Sequence, residues 1–521
     1  MNADLTRRHI ARNVLVVAGS FGLSAAAGLV RNAVIASSFG IGSQLDAYYA
    51  AFKLPDLLFT IVAGGALATA FIPVFAGYAA QDDRRGAWDL TSAVLNWVVL
   101  IVALLAALAA LLAPWLVRTA IAPGFAPADQ AETAAVMRIV LLSTVIFGVS
   151  AVLGSALNGF KHFLLPALAP VVYPLGVIAG ALWLAPSLGI RGLAIGAVGG
   201  SALHLFIKVP ALLRYGFRWR PILRTGDGSV RRVAVLMGPR VLDLGVFHLT
   251  LLVSTNLASR LGPGGVSALE WGWDAMQLPE TIIGTAFGLV AFPTLADLAA
   301  RGDRAGLRRT LGESLRTVLA LAVPAAAGLI LLGRPLLALL YQRGAFDEGA
   351  TEAVFTTLRF YALGLAAHSC LELAARAFFA QKDMVTPLLL AVASAVANIA
   401  LGLLLLRPLG AGGLALANSI AITAEVLALL LILRRRWRGV EGRETGRQLL
   451  SVLAATGIMS AAVWGALIAA QHLGLGNLLT LAAGGGAGVL AYAIASWALR
   501  IRELGRFVQA VLGKATRPAA P

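Results

Sequence analysis

The sequence predicts an all-α polytopic membrane protein: about fourteen transmembrane helices in two pseudo-symmetric six-helix bundles, with two extra helices at the C-terminus. Three observations carry the prediction. Of the 521 residues, 59% are hydrophobic and 13% charged, against roughly 25% charged in soluble domains. Apolar runs of about 20 residues, enough to cross ~30 Å of hydrocarbon as a helix, recur from end to end. The basic residues gather in alternate loops between these runs.

The first run, near 14–36, follows Arg7, Arg8 and Arg12 and holds the small residues SAAAG, as a signal peptide would. About a dozen further runs behind it mark it as a retained span. Runs near 50–78, 91–116, 137–158, 164–185 and 192–213 complete a first set of six. Runs near 234–258, 276–297, 314–335, 355–378, 385–406 and 412–433 form a second set, and those near 449–471 and 477–499 follow it. The chain thereby divides into an N-terminal bundle over 1–215, a basic linker over 216–233 and a C-terminal bundle over 234–435, then two additional helices over 436–500 and a tail over 501–521.

An even number of spans puts both termini on one side. With that side cytoplasmic, its loops collect Arg84 and Arg85, then Arg214 to Arg232 at and within the linker, Arg301 to Arg309, Arg434 to Arg447, and the tail's Arg502, Arg506, Lys514 and Arg517. The opposite loops hold little beyond Arg118, Arg191, Arg260, Arg343 and Arg407. This positive-inside pattern accounts for the net charge of +17 without a nucleic-acid partner and makes anionic membrane lipids the expected partner of the basic loops. A single cysteine, Cys370, excludes an intrachain disulfide or a cysteine metal cluster. No metal, cofactor, P-loop or nucleophile-base pair is indicated, which argues against an enzyme.

A fixed offset joins the halves. ALNGFKHFLLPAL, from Ala156, matches AFFAQKDMVTPLL, from Ala377, with Lys161 over Lys382 and Pro166 over Pro387, both 221 positions apart. LGIRGLAIG, from Leu188, matches LGAGGLALA, from Leu409, at the same offset. Upstream, KLP at Lys53 parallels QLP at Gln277, and Pro73 parallels Pro293. About six spans per copy makes the repeat parallel, the arrangement of transporters that rock one half against the other about a site near the midplane.

Fixed charges within apolar runs point to such a site, because a cation near the bilayer centre costs several kcal/mol unless it faces protein or water. Arg31 lies inside the first span, Lys53 near the start of the second, and Asp46 between them. A guanidinium can grip two oxygens of a diphosphate, while an ammonium acts as a point charge. The structural alternatives are an acidic neighbour for Arg31, snorkelling to the interface for Lys53 and an N-cap before AYYAAF for Asp46.

RNAVIASSFGIGSQLDAYYAAFKLPDLL with GGALATAFIPVF, LLYQRGAFDEGAT from Leu339, and QKDMVTPLL with NIALGLLLLRPLGAGGLALANSIA resemble the lipid II flippase family (MurJ, also MviN) of the multidrug/oligosaccharidyl-lipid/polysaccharide exporter superfamily. The likeness covers nearly the whole chain. It implies fourteen helices in two bundles around a central cavity, with the last two lining a groove for a polyprenyl tail. It further implies a bacterial inner-membrane flippase that moves a lipid-linked, diphosphate-bearing peptidoglycan precursor from the cytoplasmic to the outer leaflet by alternating access. Arg31, Lys53 and Asp46 match family residues that line or gate the cavity, and Asn32, Asp274 and Gln277 join them as candidate substrate contacts.

The departures lie at the same places. Asn32 stands where the family usually has aspartate, and Phe59 where arginine is common. In WGWDAMQLP, Trp273 takes the place of an aspartate and Asp274 that of an arginine. Asp274 either pairs with Arg31 or Lys53 or marks a less anionic cargo. Ser254 and Gly402 weaken the case for a conserved sodium site, and coupling is left to the membrane potential or a monovalent cation. Arg240 with Asp243, and His248, His368, Glu372 and Glu425, are polar residues of the spans that either pair with neighbours or carry protons. The alternatives to a lipid II flippase are an exporter of another lipid-linked saccharide and a transport-impaired scaffold for envelope synthesis.

Overall fold

Backbone polar groups in a bilayer must be satisfied within the protein, which favours helices for membrane-crossing segments. The computed structural model describes residues 2–226, 228–439, 441–501, 503 and 505, and the side chains of all but 2–19, 21, 66, 79, 239, 240, 242 and 243 of these. Every regular element among the described residues is helical. Among the described residues, eleven stretches are long and apolar enough to cross a membrane by length and composition. That count omits Asn2–Phe39 and Ser229–Ala258 and takes Val385–Trp437 as one stretch although Gly410 divides it, which is where it departs from about fourteen.

Two compact units make up the chain: Met1–Ser267 with Arg343–Asp347, and Ala268–Gln342 with Glu348–Pro521. The first holds α1 (Asn2–Phe39), α2 (Ser43–Ala63), α3 (Gly65–Ala80), α4 (Arg84–Leu116), α5 (Pro127–Gly159), α6 (Leu164–Ala179), α7 (Ala185–Leu188), α8 (Ile190–Phe206), α9 (Val209–Arg214) and α10 (Ser229–Ala258). Helix α5 packs on α2 and α4, α6 on α1 and α8, and α10 on α2 and α3. The core gathers Phe71, Phe75, Leu90 and Leu157, all buried, beside Trp88 packed 5.1 Å from Phe160. Small residues let α6 and α8 touch backbone to backbone, since a Cβ on Gly176 would lie 2.3 Å from Gly200 Cα.

The second unit takes up α11 (Gly265–Glu280) from Ala268, then α12 (Ala286–Ala300), α13 (Arg304–Tyr341), α14 (Glu348–Ala380), α15 (Val385–Trp437), α16 (Gly442–His472) and α17 (Asn477–Ala498). Helix α14 packs on α12, α13 and α15. The last two helices pack on each other and on α13, where the Tyr492 hydroxyl donates to Ala320 O at 2.6 Å. Large apolar side chains stand open on the outside of both units: Leu111 is 77% exposed, Trp183 77%, Val290 79% and Trp497 83%. In water such a surface would aggregate; against lipid tails it is matched.

The internal repeat is written into the backbone. Lys161 and Lys382 both turn left-handed, at φ 60° and 62°. Gly189 (φ 56°, ψ −139°) and Gly410 (φ 55°, ψ −136°) share a conformation closed to other residues. Asp83 caps α4 through Gly86 N at 2.8 Å, and Asp303 caps α13 through Gly306 N at 2.8 Å. Each pair sits 220 or 221 positions apart.

Candidate functional site

The sequence-derived residues separate by unit. Arg31, Asn32, Asp46 and Lys53 belong to the first, Asp274 and Gln277 to the second. In the first unit the packing of α6 on α1 and of α10 on α2 gathers polar side chains of four helices into one region.

Arg31 is half-buried on α1. Its Nε and Nη2 both donate to Asn32 Oδ1, at 3.0 and 2.8 Å. The amide oxygen orients the guanidinium through two bonds yet carries no charge, so this contact fixes the cation without cancelling it. An aspartate in that position would do both. The hydroxyls of Tyr48 on α2 and Tyr173 on α6 lie in the field of Arg31 and of Asp56. Phe147 links this group to Phe59, with ring centroids 5.3 Å from Tyr173 and 5.8 Å from Phe59. Position 59 is therefore part of an aromatic contact rather than a cation.

Lys53 is buried on α2, 9% exposed. Asp56 and Thr60 follow it by one and two turns on the same helix face. His248 on α10 feels the Lys53 charge and shares a 3.0 Å hydrogen bond with Thr60 Oγ1. The histidine is thus tied into the polar face of α2.

Asp46 has a different setting. It is fully buried, and its two oxygens accept from Gly264 N and Ser267 N, each at 2.7 Å. It does not cap its own helix, whose N-cap is Gly42. Its carboxylate instead satisfies backbone donors at the head of α11, which are otherwise without an intrahelical partner. The last turn of α1 is bound in the same unit by Ala345 N donating to Ser37 O at 2.9 Å.

In the second unit, Asp274 is half-buried and Gln277 exposed, one turn apart on α11. Trp273 lies edge-on to Tyr361 and His368, with centroids 5.3 Å away from each. His368 in turn bonds Asn418 Oδ1 at 3.0 Å. Glu372 pairs with Arg376 one turn along α14, and Glu280 lies in the field of both. Glu425 is buried at 7% exposure. The side chains of Arg240 and Asp243 lie outside the described residues. Among the described residues no group of three or more His, Cys, Asp or Glu is placed to hold a metal ion.

Sequence reasoning missed Asp56, Thr60, Tyr48 and Tyr173. The first two had a signal in the helical spacing from Lys53. The tyrosines had none, because their relation to Arg31 is made by helices distant in the chain coming together, α6 on α1 among them.

Comparison with known proteins bears on the whole chain. The family model of lipid II flippase MurJ matches residues 35–484. A lipid II flippase MurJ of Burkholderia cenocepacia is 32% identical over 440 residues, covering 82% of this chain and 84% of that protein. A probable lipid II flippase MurJ of Thermotoga maritima is 31% identical over 405 residues, covering 78% and 81%. Among solved structures, a lipid II flippase MurJ in an inward closed conformation superposes with a TM-score of 0.78 at 24% identity, over 94% of this chain and all of that one. A multidrug resistance MATE transporter of the MOP superfamily, inward-facing, gives 0.67 at 14% identity, over 80% of this chain and 96% of that one. The two structures share the fold.

Proposed function

The chain belongs to the lipid II flippase MurJ family, and on that premise we propose that it carries lipid II across the bacterial inner membrane. It is a transporter rather than an enzyme, and its substrate is a lipid-linked saccharide. The observation that carries this reading is the family match across residues 35–484.

Within the first unit, Arg31 is the side chain that grips the diphosphate. Its guanidinium is oriented by Asn32 through two hydrogen bonds, and a guanidinium can hold two oxygens of an anionic headgroup at once. Lys53 supplies a second cation from the next helix, with His248 and Thr60 beside it. In the second unit, Asp274 and Gln277 on α11 are candidate substrate contacts by themselves. Asp46 serves the site indirectly, by fixing the head of α11 through two backbone bonds. The parallel repeat supports a rocking mechanism that exposes these side chains to each leaflet in turn. Both termini lie in the cytoplasm on the strength of the arginine-rich alternate loops. Movement of cations through the field couples transport to the membrane potential, one charge across 100 mV being worth ~2.3 kcal/mol.

The test is expression in a bacterium depleted of its own lipid II flippase. Restored growth with lipid II exposed on the outer leaflet is expected. A well-inserted protein that leaves lipid II inside would overturn the reading. Trp273 and Asp274 favour a second one, export of another lipid-linked saccharide, because they place an aromatic contact and an anion where the resembling segments carry an aspartate and an arginine.

A further inference from the structure

The basic linker before α10 reads in the sequence as a loop held only by the charge rule. In the structure it is stapled to α4. Asn96 Nδ2 donates to Arg220 O and Ile222 O at 2.8 and 2.7 Å, and Trp97 Nε1 donates to Leu223 O at 2.8 Å. Trp219 Nε1 returns a bond to Asn96 Oδ1 at 2.7 Å. Arg220 pairs with Asp89 at 3.0 Å, and its backbone N–H donates to Ser92 Oγ at 3.3 Å. Four side chains of one helix are thus committed to giving this segment a fixed path.

That path walls a hollow of about 680 Å³ against α2, α3, α4 and α10. Its lining is mostly apolar, including Leu67, Val94, Val98 and Met237, with Arg224 and Arg231 among the residues that border it. Both arginines are exposed, and neither makes an ion pair among the described residues. The head of α10 adds backbone donors, since Gly228 precedes it and no side chain caps it. The Thr225 hydroxyl at the same edge is buried with no hydrogen-bond partner among the described residues. An apolar slot with two cations and uncapped helix donors at one end matches one chemistry: an acyl chain carrying a phosphate. Its volume is that of an ordinary ligand pocket, about 300–1,000 Å³.

We propose that this groove is a binding site for one anionic glycerophospholipid, an acyl chain lying between α4 and α10 and its phosphate held by Arg224 and Arg231. The arginines recognise the headgroup, while the stapled linker keeps the slot open. The occupant is a structural lipid and not the transported one, so the site stands apart from the diphosphate contacts proposed above.

The test uses the full chain in nanodiscs of equal phosphatidylglycerol and phosphatidylcholine, with retained lipids counted by native mass spectrometry. Two variants are compared with the parent. Gly238→Leu fills the slot, and it fits because a Cβ there meets nothing within 4 Å. The double variant Arg224→Gln/Arg231→Gln removes the clamp. Each is expected to lower retention of the last phosphatidylglycerol at least about fivefold, the arginine double variant by about thirtyfold at about 1 kcal/mol per arginine, with helix content unchanged by circular dichroism. Unchanged retention in both overturns the proposal. Loss in the arginine variant alone overturns the slot, since it reduces the arginines to surface charge. Displacement of the lipid from the parent by an added polyprenyl diphosphate also overturns it, because the groove then belongs to the substrate's tail. Lipid retention is read without transport, so failure here leaves the flippase reading intact.

Discussion

At the scale of single residues, the Arg31–Asn32 contact separates orientation from neutralisation. Arg31→Ala is expected to abolish rescue of a flippase-depleted strain at normal expression. Asn32→Leu keeps the charge but releases the fork, and a several-fold drop in lipid II export is expected with the protein still inserted. Equal export by both variants and the parent would exclude the pair from the site. Asp383 illustrates a charge whose role is structural. Burial would raise its carboxyl, but the Thr386 N–H, the Thr386 hydroxyl and the Arg436 guanidinium outweigh it and hold the group down at about 2. A depressed carboxyl contributes stability above its unfolded value of 3.8, and the contribution fades as pH falls through about 2. Asp383→Asn is therefore expected to lower stability by up to about 2 kcal/mol at neutral pH. Thermal melts should show that gap closing between pH 4 and pH 2; a gap independent of pH would contradict it.

At the scale of elements, the repeat makes a paired prediction. Gly189 and Gly410 occupy the same positive-φ conformation at the turn before the last span of each copy. Alanine at either is expected to cost about 1–3 kcal/mol, whereas alanine at Gly485, where a Cβ meets nothing within 4 Å, should be tolerated. Melting temperatures of the three variants decide this, and a tolerated Gly410→Ala would mean that the turn adapts. The copies are not identical in what they use. His162 stands opposite Asp383 in the repeat, and its buried Nε2 has no hydrogen-bond partner among the described residues where the aspartate has three. A second element-scale device is Arg316 on α13, 6% exposed, which binds Glu441 at 2.9 Å, Glu503 at 3.0 Å and Glu444 at 3.6 Å. It ties the connection between α15 and α16, and the segment after α17, to one helix. Breaking a buried pair of this kind typically costs about 3–5 kcal/mol, so Arg316→Leu should lower stability by that order in a thermal melt. A drop well below about 1 kcal/mol would show the cluster to be solvated.

At the scale of the whole molecule, Asp274 tests the cargo. If the anion is a specialisation for lipid II in this chain, Asp274→Arg should impair rescue of a depleted strain without lowering expression. Improved export would instead show that the aspartate is dispensable for this substrate and would favour a different native cargo. Hydropathy, charge alternation and the 221-residue offset are each written along the chain, so helical class, basic loops and the repeat are legible in the order of the residues. Candidate residues are legible there only as far as a charge in an apolar run is conspicuous, which singles out Arg31 and Lys53. Asp46 is equally conspicuous, yet its partners Gly264 and Ser267 lie 218 and 221 positions away. Nothing local announces them.

The sequence by itself determined that this chain is a helical, multi-span membrane protein of two related halves, because lipid imposes a solvent match on every segment independently. Only the tertiary structure decided where the polar groups go: Asn32 onto Arg31, His248 onto Thr60, Asn96 and Trp97 onto the linker. Apolar burial in a membrane is nondirectional and tolerant of register, whereas a hydrogen bond needs its partner within about 3 Å, and that partner is supplied by whichever helix packing brings near.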